Sequence, residues 1–137
     1  MNATILALSG YILWIMVLLL ALAAYRAAYN QANKRKSLKF NADGSDVGDA
    51  GQRLTRAHLN AIECFPFIGG VLLLAIASDS SVITNGLAFI VLGARIVQSL
   101  VHVASVSNVA IILRFVFFLV QFGICAYWLV RIIEKFM

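Results

Sequence analysis

The sequence predicts an all-α integral membrane protein, a bundle of four transmembrane helices. Three observations carry that expectation. Long apolar runs fill most of the 137 residues, and 62% of the chain is hydrophobic. Only 12% of residues are charged, too few to cover a soluble domain of this size. The apolar stretches lack the period-two alternation of a membrane barrel, and Pro66 is the single proline. In hydrocarbon every backbone polar group must be satisfied inside the segment, which leaves helices as the form of these runs.

The spans follow from where polarity interrupts the runs. They are read as Ile5 to Tyr29, Gln52 to Ser78, Val82 to Ser105 and Asn108 to Lys135, each holding the roughly 20 apolar residues a crossing requires. The first run has no basic leader and no small-residue cleavage site, and it is longer than a signal-peptide core, so it is read as a span. A polar loop, Lys34 to Gly51, joins the first two spans; Asp79–Ser81 and Val106–Ser107 are short links. The chain reads as one domain.

The net charge is +5, and seven of the eleven basic residues lie between Arg26 and Arg56. No basic-aromatic interleaving on a soluble scaffold accompanies them, which argues against nucleic acid. The basic loop instead marks the cytoplasmic side, facing anionic lipid headgroups, with both termini on the opposite side. A compact chain of this kind suits a bacterial inner membrane. Cys64 and Cys125 form no CxxC pair and read as buried thiols. Asp43, Asp46 and Asp49 lack the closing ligand of a calcium loop and read as solvated. Tyr127, Trp128 and Trp14 read as an interfacial belt, and Phe115, Phe118 and Phe122 as lipid-facing or packing surface.

Ionisable groups within membrane spans are costly, and each is a functional candidate. On the second span Arg53, Arg56, Asn60 and Glu63 follow i, i+3, i+7, i+10, an arc of about 80° on a helix. Pro66 removes a helical hydrogen bond just beyond this stripe. On the third span Arg95, Gln98 and His102 share a face; on the fourth, Arg114 and Gln121 do. All three stripes fall in the half of the membrane next to the basic loop. Asn60 and Glu63 alone could equally serve to hold helices together. The charge count goes further: four arginines face one glutamate, so an anion is implied, either a lipid headgroup or a small polyanionic cosubstrate. His58 and His102 read as solvated helix-end residues. Polar residues confined to one half of the membrane argue against a continuous pore.

The segment RLTRAHLNAIECFPF, Arg53 to Phe67, closely resembles the second-helix signature of the MAPEG superfamily (membrane-associated proteins in eicosanoid and glutathione metabolism), R-x-x-R-A-x-x-N-x-x-E-x-x-P. An LGAR segment, Leu92 to Arg95, agrees as well. The resemblance implies a homotrimer of four-helix subunits, like the microsomal glutathione transferases, with glutathione as cosubstrate between neighbouring subunits. It would set Arg53 and Arg56 on the glutathione carboxylates, Glu63 on its α-amino group and Asn60 in the same pocket, completed by Arg95 and Gln98. Arg114 would stabilise the thiolate, and an apolar groove between the first and fourth helices would admit a lipophilic electrophile or lipid hydroperoxide.

The chain also departs from that pattern. Phe115 stands where the prostaglandin E synthase branch has serine, Cys64 where some members have tyrosine, and Gln98 and His102 where several have glutathione-contacting tyrosines. These departures speak against a prostaglandin or leukotriene synthase. They keep open a second reading, a non-catalytic scaffold or lipid-binding subunit.

Overall fold

The computed structural model describes Asn2 to Met137. All its regular elements are helical: α1 (Ala3–Ala32), α2 (Gly48–Ala77), α3 (Ser81–Thr84), α4 (Ala88–Ala104) and α5 (Asn108–Phe136). α1, α2 and α5 are long and apolar enough to cross a membrane, and α4 is a shorter apolar helix of 17 residues. At about 1.5 Å per residue α4 reaches roughly 25 Å, the low end for a crossing.

The third span, expected as one helix over 82–105, is divided. Its first part forms the one-turn α3, and Asn85–Leu87 break the helix before α4 begins. Asn85 itself keeps helical dihedrals, φ −57° and ψ −38°, and the chain departs from helix after it, with Leu87 at φ −115° and ψ 1°. Asn85 turns its side chain toward the start of α1, where its Oδ1 accepts from the Thr4 amide at 3.0 Å and from Thr4 Oγ1 at 2.7 Å. α2 also begins four residues before the expected Gln52. Gly48 opens it at φ +76°, a left-handed conformation natural to glycine. Gly51 then lets α2 lie close to α1, since a Cβ there would sit 2.5 Å from the Tyr25 ring.

Two helix ends close with the same motif. At the end of α2, Asp79 takes φ +54°, Ser80 N–H donates to Ala75 O at 2.7 Å and Asp79 N–H to Ile76 O at 3.2 Å. At the end of α1, Lys34 takes φ +50°, Arg35 N–H donates to Asn30 O at 3.0 Å and Lys34 N–H to Gln31 O at 3.4 Å. Both are Schellman closures, which pair the carbonyls that a helix end otherwise leaves open. Lys135, at the end of α5, adds bonds to Asp79 O at 2.8 Å and Ser80 Oγ at 3.0 Å.

α2 and α4 pack on each other at the centre; α1 and α5 each pack on both. The core along this seam includes Tyr11, Cys64, Ile68, Leu72, Val91, Cys125, Trp128 and Ile132. Trp128 is completely buried, not part of an interfacial belt, because it sits on the inward face of α5 with Gln121, Cys125 and Ile132. The connection between α1 and α2 folds back onto the helices. Tyr25 donates to Val47 O at 2.8 Å, and the guanidinium groups of Arg26 and Arg35 lie over the Phe40 ring, at 5.1 and 4.8 Å. Within that connection, hydrogen bonds from Ser45 hold the exposed Asp43 carboxyl below its ordinary range.

Tyr11 is the main polar tie between α1 and α2. Its hydroxyl donates to Ala61 O at 2.6 Å and its ring packs on Phe65. Tyr11→Phe keeps the packing and loses the bond. It should cost about 1 kcal/mol, the usual range for an interhelical hydrogen bond in a membrane protein. A fall in the unfolding midpoint in detergent, with helicity unchanged by circular dichroism, is the expected measurement.

Candidate functional site

The three polar stripes do meet, and Arg95 is the point at which they join. It is completely buried within α4. Its Nη1 donates to Asn60 Oδ1 of α2 at 2.6 Å, and its Nε to Gln121 Oε1 of α5 at 3.0 Å. Gln121 passes the connection on, donating from Nε2 to Gln98 Oε1 at 2.8 Å and to Phe117 O at 2.8 Å. The Tyr11 ring of α1 lies 6.0 Å from the guanidinium. Arg95 therefore touches all three other long helices. Its Nη2 is enclosed and has no partner.

The helix geometry explains the meeting. Asn60 is one stripe position above Arg56 on α2; Arg95 and Gln98 are one turn apart on α4. Gln121 is two turns past Arg114 on α5. α4 runs toward the α1–α2 connection while α2 and α5 run away from it, so residues late in α4 meet residues early in the other two.

Outward from this buried network lies an open cleft. One part, about 220 Å³, is lined by Arg56, Leu59, Asn60, Glu63, His102 and Arg114. A second part, about 260 Å³, shares Asn60, His102 and Arg114 and adds Gln98, Ile111, Phe115 and Phe118. Arg114 Nη1 donates to His102 Nδ1 at 2.8 Å, and Arg114 Nε is enclosed without a partner. His102 thus belongs to the cleft and is not a solvated helix-end residue. His58 is buried too, on the opposite face of α2.

The expected site residues now separate. Arg56, Asn60, Glu63, Gln98 and Arg114 line the cleft. Arg53 does not. Its Nε donates to Val103 O at 2.9 Å and so ties the start of α2 to the end of α4. Arg95 stands behind the wall, holding Asn60 and Gln121 rather than facing the opening. Gln121, marked in the sequence by its shared face with Arg114, proves to be a supporting residue. Tyr11 is a second one that the sequence pattern did not single out, since a tyrosine among apolar residues in α1 carried no signal.

Charge is unevenly matched here. Among the described residues the ion pairs are Arg35–Asp46 at 3.5 Å and Arg131–Glu134 at 3.2 Å. Arg53, Arg56, Arg95 and Arg114 have no carboxylate partner, and Glu63 has no cation. Arg56 and Glu63 are exposed on an apolar helix, where bare charge is costly.

The cleft also leads into an apolar surface. Phe115, Phe118 and Phe122 stack in succession along α5, at 6.4 and 5.8 Å, and Phe67 of α2 meets Phe118 and Phe122 edge-on. They lead to a groove of about 140 Å³ lined by Phe67, Val71, Phe122, Cys125, Ala126 and Leu129. This groove lies between α2 and α5 of one chain.

Compared with known families, the chain matches the MAPEG family model over residues 4–133. This protein belongs to the MAPEG family. No curated protein and no solved structure matches it. The match spans all the helices, so membership rests on the whole bundle and not on the α2 signature alone. It establishes a MAPEG-type integral membrane protein, a family consistent with glutathione-related transferase or peroxidase chemistry or with eicosanoid metabolism.

Gln121→Leu tests the supporting network. It strands Arg95 Nε and Gln98 Oε1 in the interior, at about 1–3 kcal/mol for each stranded group. The variant should unfold at a clearly lower temperature in detergent. A milder loss is expected for Gln121→Glu, which restores an acceptor for Arg95.

Proposed function

We propose that this chain is a glutathione-dependent transferase or peroxidase acting on lipophilic electrophiles or lipid hydroperoxides, and that it works as a homotrimer. One observation carries the reading: the cleft gathers unpaired arginines and one unpaired glutamate. Glutathione has the reverse pattern, two carboxylates and one ammonium. Arg56 is the open guanidinium for a carboxylate. Glu63 takes the ammonium. Asn60 and Gln98 bond the peptide groups, held in place by Arg95 and Gln121.

Arg114 then faces the thiol. A guanidinium beside sulfur favours the thiolate, the reactive form. With a halide electrophile the thiolate forms the C–S bond as the carbon–halogen bond breaks, and halide leaves with the electron pair. The lipophilic partner approaches along the Phe115–Phe118–Phe122 surface. The trimer reading draws support from the exposed Arg56 and Glu63, which a second copy would cover. It also draws support from the size of each part of the cleft, below the roughly 300–1,000 Å³ of a complete ligand site. The basic α1–α2 connection is assigned to the cytoplasmic side of a bacterial inner membrane on its charge.

Phe115 beside Arg114 favours a second reading, a non-catalytic MAPEG-type membrane subunit, since no hydroxyl stands next to the arginine. Turnover decides between them. Purified in detergent, the protein should conjugate glutathione to chlorodinitrobenzene and be stabilised thermally by glutathione. Arg114→Ala should lower kcat by about 10²-fold, the scale of losing one charged donor in a site. Glu63→Gln should raise KM for glutathione roughly tenfold, the equivalent of a charged hydrogen bond of ~1.5 kcal/mol. No turnover above the uncatalysed rate and no thermal shift would overturn the enzyme reading and leave the scaffold.

A further inference from the structure

The Arg114–His102 contact fixes more than the position of the arginine. A guanidinium has five N–H donors and no acceptor. In the 2.8 Å contact Arg114 Nη1 must therefore donate, and His102 Nδ1 must be the lone-pair nitrogen. The imidazole is then the neutral tautomer with its proton on Nε2. That Nε2–H has no partner among the described residues and is not among the enclosed polar atoms, while the ring lines both parts of the cleft. One side of the ring is thus held by the arginine, and the other presents a fixed donor to whatever the cleft contains.

We infer that His102 is the hydrogen-bond donor to an electrophile's leaving oxygen, and that the site is built for hydroperoxides in preference to halides. The inference rests on the glutathione reading above and names the substrate class of that same cleft. Glutathione thiolate attacks the terminal oxygen of R–O–O–H. The S–O bond forms, the O–O bond breaks, and the electron pair leaves on the alkoxide. His102 Nε2–H bonds to this oxygen as its charge develops, and water supplies the proton that gives the alcohol. The imidazole keeps its own proton throughout. A second glutathione displaces hydroxide from the glutathione sulfenic acid, giving the disulfide and water. A departing halide accepts hydrogen bonds poorly and gains little from such a donor. A donor placed in advance where charge appears helps most when that charge sits on oxygen.

Two variants separate the outward donor from the support of Arg114. His102→Asn keeps an acceptor near the Nδ1 position but has no group near Nε2. His102→Gln places an amide donor near Nε2. The rates to compare are kcat/KM for cumene hydroperoxide and for benzyl chloride, with glutathione, in detergent. In the Asn variant the ratio of the hydroperoxide rate to the chloride rate should fall by about tenfold or more, and the Gln variant should recover most of that ratio. Equal losses on both electrophiles in both variants would show that His102 only supports Arg114, overturning the inference while the glutathione reading stands. A wild-type protein that turns over neither electrophile would end both. If His102→Asn does not fold, His102→Ala takes its place: a fall of about tenfold or more in the ratio supports the donor, and equal losses on both electrophiles overturn it.

Discussion

A guanidinium is held in the middle of a membrane bundle with no carboxylate to neutralise it, and the arrangement of the other helices follows from how it is satisfied. Arg95 is fully enclosed by α4 and its neighbours. A charge in such surroundings is tolerated only with close polar partners. The partners are the amide oxygens of Asn60 on α2 and Gln121 on α5, with the Tyr11 ring of α1 nearby. Each comes from a different helix, so one side chain sets the rotation of three others. Rotating α2 or α5 by one residue would turn Asn60 or Gln121 away by about 100°.

Lipid tails are as apolar as the side chains they surround, so they provide little drive to choose among helix arrangements. Polar ties make the choice here, and they occur at three levels. At one end Arg53 bonds the last turn of α4. At the other, Thr4 meets Asn85, and Lys135 meets the close of α2. The Arg95 network lies between. Apolar packing around Ile68, Leu72, Val91 and Trp128 fills the space those ties define.

The same network sets the chemistry of the cleft. Asn60 and Gln98 are committed on their buried sides, which leaves their remaining polar groups to the opening. Arg114 is held from one side by His102, and its enclosed Nε is unmatched. Unsatisfied donors in a buried setting are uncommon in folded proteins and point to a group that belongs there. Cations in excess beside a single carboxylate give the cleft a net positive charge. The aromatic series on α5 starts at this point and runs into apolar surface.

Much of this was written in the sequence. Apolar length gave the spans, and the spacing of Arg53, Arg56, Asn60 and Glu63 gave one face, because helical period converts sequence position directly into angle. Depth could be read as well, since consecutive spans alternate in direction, and so the convergence of the three stripes was legible before any coordinates. The partner of each side chain was not. Arg53 and Arg56 share a face and a residue type, yet one bonds the end of α4 and the other faces the cleft. Trp128 looked interfacial and is buried. His102 looked solvated and holds Arg114. The third span looked continuous and breaks after Asn85. In each case the outcome depends on which neighbouring helix lies opposite, and at what height. That is fixed by packing between segments distant in the chain, which no local period records.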